Sequence, residues 1–156
     1  MHTKHPTVAD IRAMKARGEK ISMLYVTSLE EAAAANAAGI HMLSIEGRFF
    51  SPAMREAAGR CFVQVGMPYG PFGKLATAED YLREAFAQMR QGADCLYCAA
   101  SLDIQKVLCD NAVPVVAHVG LIPSQCTWTG GCKAVGKTAQ YRQSAPRRIW
   151  AKASRK

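Results

Sequence analysis

Residues 113–137 read VPVVAHVGLIPSQCTWTGGCKAVGK and give the clearest indication of the fold. The stretch begins with an apolar run in which Val113, Val115 and Val116 are β-branched, a composition typical of a buried strand. His118 follows where that strand should end. The glycines and prolines after it predict a long loop of special backbone geometry rather than a helix. A buried strand that ends in a polar residue and a glycine-rich loop is typical of the rim of a pocket in α/β folds.

Four similar apolar segments precede this one, and helical segments separate them. The predicted strands cover residues 21–26, 40–45, 61–67, 93–99 and 113–118. Four predicted helices begin after residues suited to the N-cap, namely Thr7, Ser28, Ser51 and Thr77, and a fifth covers residues 101–110. In the helix after Thr77, the apolar spacing predicts a buried stripe of Tyr81, Leu82, Ala85, Phe86 and Met89. Strict alternation of strand and helix predicts an α/β fold with a parallel sheet and right-handed crossovers.

Length and composition are those of a globular domain. The chain has 156 residues, of which 49% are hydrophobic and 21% charged, so it can form one ordinary core and is not a disordered chain. No apolar run approaches the roughly 20 residues that span a bilayer, and no charged-then-apolar leader opens the chain. We therefore expect a cytoplasmic protein with no membrane partner, whose six cysteines are reduced thiols.

Two separated motifs resemble a known family. The run AHVGLIPSQ…GGCKAVGK resembles the signature GH(L/I)GLTPQS…GGYKVQGK of ketopantoate hydroxymethyltransferase (3-methyl-2-oxobutanoate hydroxymethyltransferase). The opening TVADIRAMKARGEKISML resembles that family's start, so the likeness runs from about Thr7 to Lys137. It implies βα units of a (β/α)8 barrel of the phosphoenolpyruvate mutase/isocitrate lyase type. Because a complete barrel takes about 250 residues, we expect a partial, truncated barrel of about five units.

The same resemblance implies a chemistry. The family transfers a hydroxymethyl group from methylenetetrahydrofolate to a small 2-oxo acid, 2-oxoisovalerate, in pantothenate biosynthesis. Its reaction uses Mg²⁺ to polarise the oxo acid and a carboxylate base to take a proton. The family's metal ligands and substrate lysine fall here on Glu46, Gly66, Tyr97 and Ala99, of which Glu46 alone is a carboxylate. We predict Glu46 as a metal ligand, Glu46, Tyr97 and His118 as substrate-binding residues, and leave the base unassigned.

The positive charge of the chain is concentrated at its end. Residues 1–132 carry 12 Lys or Arg and 12 Asp or Glu, whereas residues 133–156 carry 8 Lys or Arg and no acidic residue. We therefore expect a partial barrel domain over residues 1–137 and a basic tail over residues 138–156, helical or disordered. Such a tail could bind nucleic acid or another acidic surface, but a solvated basic end is the favoured interpretation.

Three kinds of function stay open at this point. The first is an enzyme of the hydroxymethyltransferase type with altered or residual activity. The second is a non-catalytic relative that only binds ligands or oligomerises, and the resemblance implies a homo-oligomer in either case. The third is a nucleic-acid binder that works through its basic tail.

Overall fold

A computed structural model describes residues 5–68 and 75–134 of the chain. These residues contain a parallel sheet of five strands in the order β1-β2-β3-β4-β5. The strands are β1 Met23–Tyr25, β2 Met42–Glu46, β3 Phe62–Gly66, β4 Cys95–Cys98 and β5 Val115–Ala117. The prediction of an α/β fold made of five parallel βα units is confirmed, as expected for part of a (β/α)8 barrel. The predicted basic tail, residues 138–156, lies outside the described residues.

Four of the helices begin at the predicted N-caps Thr7, Ser28, Ser51 and Thr77. The helices are α1 Val8–Ala16, α2 Leu29–Ala37, α3 Pro52–Ala57, α4 Ala78–Arg90, α5 Leu102–Asp110 and α6 Cys126–Thr129. Thr7, Ser28 and Thr77 each form a full capping box with the acidic residue three positions later. Each box satisfies backbone N–H groups that have no partner inside the helix. The sequence therefore fixes where these helices begin.

The core lies between the sheet and the helices that cover one of its faces. Alternate strand residues point to this face, as the period of two requires. Leu43, Ile45, Val63, Val65 and Leu96 are at most 1% exposed. They form one cluster with side chains of the helices, including Ala32, Ala35, Tyr81, Ala85 and Leu108. The small alanines of α2 allow that helix to approach the sheet closely.

Two local predictions are wrong. Phe86 is 40% exposed, because the buried face of α4 consists of Tyr81, Ala85 and Gln88 at helical spacing. The segment after β5 is not loop throughout, since it contains a 3-10 turn at Pro123–Gln125 that leads directly into α6. Pro123 favours that turn because its ring fixes φ near the helical value.

A buried charge network joins α3 to the start of β4. Arg55 Nη1 lies 3.1 Å from Asp94 Oδ2, and its Nη2 donates to the carbonyl oxygens of Gly59 and Cys61. The backbone N–H of Val63 donates to the same Asp94 oxygen at 2.8 Å. Burial raises the pKa of Asp94, and this amide and the neighbouring cations act in the opposite direction. The network fixes the amino ends of β3 and β4 relative to α3.

The two ends of the sheet carry different cavities. At the amino ends of the strands, α1 covers an apolar cavity of about 550 Å³, whose lining includes Val8, Ile11, Phe62, Cys95 and Val116. A more polar cavity lies at the carboxyl ends of the strands. Among the helices that the structure describes, none is long and apolar enough to cross a membrane.

Candidate functional site

One row of residues crosses the carboxyl ends of three adjacent strands. The register pairs Glu46 of β2 with Gly66 of β3, and Gly66 with Tyr97 of β4. Since parallel strands lie about 4.8 Å apart, the backbones of Glu46 and Tyr97 are separated by roughly 10 Å. Gly66 has no side chain to occupy the space between them. The resulting cavity has a volume of about 550 Å³ and is lined by Tyr25, Ser44, Ile45, Glu46, Gly47, Arg48, Gly66, Met67, Pro68 and Tyr97.

Glu46 is engaged on both carboxylate oxygens. The Tyr25 hydroxyl donates to Glu46 Oε1 at 2.7 Å, and Arg48 Nε lies 2.8 Å from Oε2. The hydrogen bond to the Glu46 carboxylate raises the pKa of Tyr25, so this hydroxyl keeps its proton and acts as a donor. The negative charge of the Glu46 carboxylate is therefore already paired with Arg48, and the carboxylate is hydrogen-bonded to Tyr25, before any ligand binds.

The turn after β2 holds Arg48 at the rim of the cavity. The N–H of Gly47 donates to the carbonyl oxygen of Gly66 at 2.9 Å, and the N–H of Phe49 donates to that of Glu46, also at 2.9 Å. A Cβ at Gly47 would lie only 3.1 Å from the Gly66 oxygen, so this close approach favours glycine. The guanidinium of Arg48 stacks over the Phe49 ring, with Cζ 4.6 Å from the ring centroid.

Tyr97 and His118 form the other side of the site. The Tyr97 hydroxyl is hydrogen-bonded to His118 Nδ1 at 2.5 Å, and the two rings are tilted with centroids 5.5 Å apart. The backbone N–H of His118 donates to the carbonyl oxygen of Cys98, which extends the pairing of β5 to β4 by one residue. His118 thus stands at the end of a strand, where the sequence places it.

The structure brings the three predicted site residues into one region. Glu46 and Tyr97 line the same cavity, whereas His118 does not line it but is hydrogen-bonded to Tyr97. Their roles as substrate ligands stay predictions. Sequence reasoning missed Tyr25 and Arg48, which hold Glu46. A signal existed for Tyr25, because it ends a predicted strand whose register places it beside Ser44, on the same face as Glu46.

The donor set at this site does not fit a magnesium ion. Mg²⁺ takes oxygen ligands, usually one or two carboxylates with substrate and water. All 12 Asp and Glu residues of the sequence fall within the described residues, and Glu46 alone lines the cavity. Both oxygens of that carboxylate already have a partner, Tyr25 on Oε1 and Arg48 on Oε2. Across residues 5–68 and 75–134, no group of three or more His, Cys, Asp or Glu is placed to hold a metal.

Comparison with known proteins identifies the family. The model of the ketopantoate hydroxymethyltransferase family matches residues 48–154. This range covers more than half of the chain and includes β3, β4, β5 and the loop after His118. The chain belongs to the ketopantoate hydroxymethyltransferase family. The match also reaches beyond Lys137, where the resemblance of the sequence motifs ends.

Three relatives of this ketopantoate hydroxymethyltransferase family member show a moderate similarity to it. The 3-methyl-2-oxobutanoate hydroxymethyltransferase of Lysinibacillus sphaericus is 32% identical over 86% of this chain and 56% of its own length. That of Janthinobacterium sp. is 29% identical over 88% of this chain and 58% of its own length. The chain therefore spans a little over half the length of these curated relatives. The Deinococcus radiodurans enzyme is 36% identical over a shorter region, 54% of this chain.

Proposed function

We propose that the carboxyl-edge cavity binds a small 2-oxo acid, and that the chain acts in hydroxymethyl transfer to 3-methyl-2-oxobutanoate. Membership of the family supports the reaction class, because the relatives are named for that transfer. The observation that carries the proposal is the row Glu46, Gly66 and Tyr97, which places an open space between two polar side chains at the carboxyl edge of the sheet. In barrels of this type that edge carries the reactive groups.

The proposal gives each side chain a role. Tyr97, which lines the cavity, would hydrogen-bond the 2-oxo oxygen of the acid, and His118 would position the Tyr97 hydroxyl through its Nδ1. Glu46 would act on the proton at C3, because it is the carboxylate that lines the cavity. Methylenetetrahydrofolate, which the family resemblance implies, would supply the hydroxymethyl carbon. We derive no step through a metal, since the donor set does not fit one.

Exchange of the C3 proton of 3-methyl-2-oxobutanoate with solvent tests the enzymatic part. In D2O, proton NMR should show loss of the C3–H signal faster with the protein than in buffer alone. Glu46→Gln should slow this exchange by about tenfold or more, as expected for removing a general base. Glu79→Gln, a substitution at an exposed glutamate on α4 outside the cavity lining, serves as the matched control and should exchange like the wild type.

An exchange rate equal to that of buffer would contradict the enzymatic part of the proposal. A specific observation favours a second candidate in that case, namely a family member that binds the acid without turning it over. Both oxygens of Glu46 are already engaged by Tyr25 and Arg48, whereas a general base must place an oxygen within hydrogen-bond reach of the proton that it removes. Saturable binding of the acid in calorimetry, together with no exchange, would identify this candidate.

A further inference from the structure

We propose that Arg48 binds the carboxylate of the acid directly and that binding at this site needs no divalent cation. This inference rests on the proposed 2-oxo acid function and specifies how the acid is held. It starts from the disagreement between the site and the magnesium that the family resemblance implies. Within residues 5–68 and 75–134, the cavity lining contains two formally charged side chains, Glu46 and Arg48, whose charges cancel. A divalent cation that entered the cavity would therefore meet no net charge. The carboxylate in the lining, Glu46, would already be paired with Arg48.

Arg48 has the position and the type of donor that a carboxylate needs. A guanidinium carries five N–H donors in a planar fork, and the contact to Glu46 is made by Nε. The guanidinium also interacts with the Tyr25 hydroxyl, and its side chain is 70% exposed at the cavity rim, so an incoming anion can reach it. Bidentate pairing of Arg with a carboxylate is among the strongest polar contacts in proteins.

The surrounding contacts hold this fork in place before the ligand binds. The Phe49 ring lies under the guanidinium, and Glu46 fixes its Nε edge. Phe50, which is 6% exposed, anchors the turn in the core, and its N–H donates to the carbonyl oxygen of Gly47. A pre-organised arginine loses less conformational freedom on binding than a mobile one. Arg48 thus supplies at this site the positive charge that a metal ion would otherwise bring to the acid.

Substitution of Glu46 distinguishes binding of the acid through a metal ion from binding through Arg48. If a metal bridged protein and ligand, Glu46→Gln would remove the cavity's one carboxylate ligand and binding would be lost. With Arg48 as the ligand-binding group, the same substitution removes a negative charge near the anion. Binding should then persist or become a few times tighter.

Calorimetric titration of 3-methyl-2-oxobutanoate into the full chain provides the test. We expect the same Kd, within about twofold, in EDTA and in excess Mg²⁺. Arg48→Gln should weaken binding by about tenfold or more, the usual cost of a lost charged hydrogen bond. Arg48→Lys should give an intermediate value, because the charge remains and the fork is lost. Arg83→Gln, which removes an exposed arginine on α4, is the matched control and should bind like the wild type.

A second ligand separates the two modes without any substitution. The acid 3-methylbutanoate has the same carbon skeleton and carboxylate but no 2-oxo group, so it cannot chelate a metal. It should bind in EDTA within about tenfold of the oxo acid, since it loses the hydrogen bonds to the oxo group alone.

Each other outcome contradicts a defined part of the account. Binding of the oxo acid in Mg²⁺ but not in EDTA, with loss on Glu46→Gln, would overturn this inference and leave the proposed function standing. Equal affinities of wild type and Arg48→Gln would overturn the role of Arg48. No binding of either acid under any condition would overturn the proposed function, and this inference with it.

Discussion

The absence of a side chain at Gly66 leaves open space in the site and leaves Glu46 as the carboxylate that lines it. Gly66 stands between Glu46 and Tyr97, and its φ is not among the positive values of the chain, so other residues can adopt its backbone conformation. A Cβ there would lie 3.6 Å from the carbonyl oxygen of Ile45 and 3.7 Å from Cα of Glu46, which are ordinary contact distances. The site is therefore one substitution away from a second carboxylate.

Gly66→Asp is expected to create a magnesium site. The new carboxylate would stand beside Glu46 in the register, and two carboxylates with water form a typical ligand set for Mg²⁺. Calorimetry with Mg²⁺ should show saturable binding to the variant and none to the wild type at the same millimolar concentrations. Gly66→Asn, which has the same shape without the charge, is the control. Identical titrations for the Asp and Asn variants would contradict the view that missing carboxylates exclude the metal.

At the scale of single residues, the sequence predicts part of the site. Glu46 and Tyr97 are singled out because a metal ligand and the substrate lysine of the resembling family fall on them, and His118 because it ends a predicted strand. The structure places Glu46 and Tyr97 in one cavity and His118 in contact with Tyr97. The pairing of Arg48 with Glu46 is not predictable in this way, because it depends on how the turn at Gly47 folds back onto Gly66. Such a contact requires the register of β2 on β3, which local sequence does not specify.

At the scale of elements, Arg55 joins α3 to β3 and β4. Its side chain is 13% exposed and that of Asp94 is 11% exposed, so this is a largely buried pair. Arg55→Met would leave the Asp94 carboxylate without its guanidinium partner, and the carbonyl groups of Gly59 and Cys61 without their donor. We expect a loss of about 3 kcal/mol in the free energy of unfolding at neutral pH, measured by urea denaturation.

The pH dependence of this loss has a definite sign. Burial raises the pKa of Asp94 in the folded protein, and removing Arg55 would raise it further. Between the unfolded and the folded pKa, the folded state then binds a proton that the unfolded state has released. The variant should therefore lose most stability above the folded pKa and recover part of it as the pH falls. Equal losses at all pH values would contradict this assignment.

Arg83→Met provides the matched control for the same chemical change. Arg83 pairs with Glu79 on the surface of α4, where the side chains are 66% and 73% exposed. Exposed pairs of this kind contribute little, so we expect a change within about 0.5 kcal/mol. If both arginine variants lost the same stability, the buried network would have no special role in joining the elements.

The sequence predicts where the helices begin better than it predicts which of their side chains are buried and where a loop contains helical turns. Helix starts are predictable because Thr7, Ser28 and Thr77 carry capping boxes within four residues of sequence. The exposure of Phe86 is not predictable in this way. Phe86 follows Ala85 directly in α4 and lies just beyond the edge of the buried face that Tyr81 and Ala85 define. The helical turns after β5 are likewise missed, since the glycines of that segment indicate loop and only Pro123 indicates a turn.

At the scale of the whole molecule, the two ends of the sheet differ in chemistry. Apolar side chains of α1 and of the strands line the amino-end cavity, whereas Tyr25, Glu46, Arg48 and Tyr97 give the carboxyl-end cavity its polar groups. Strand β1 has a paired neighbour on one side within the described residues, and its side chains are 44–57% exposed. Homo-oligomerisation, which the family resemblance implies, stays a prediction for this exposed strand.

Amide chemical-shift mapping of 3-methyl-2-oxobutanoate on the ¹⁵N-labelled chain tests the central claim most directly, because it reports which end of the sheet binds the acid. The account predicts saturable shifts at the carboxyl end, centred on Gly47, Gly66 and Tyr97. Shifts centred instead on the amino-end cavity, at Val8, Ile11 and the start of β5, would contradict it, as would no shift anywhere.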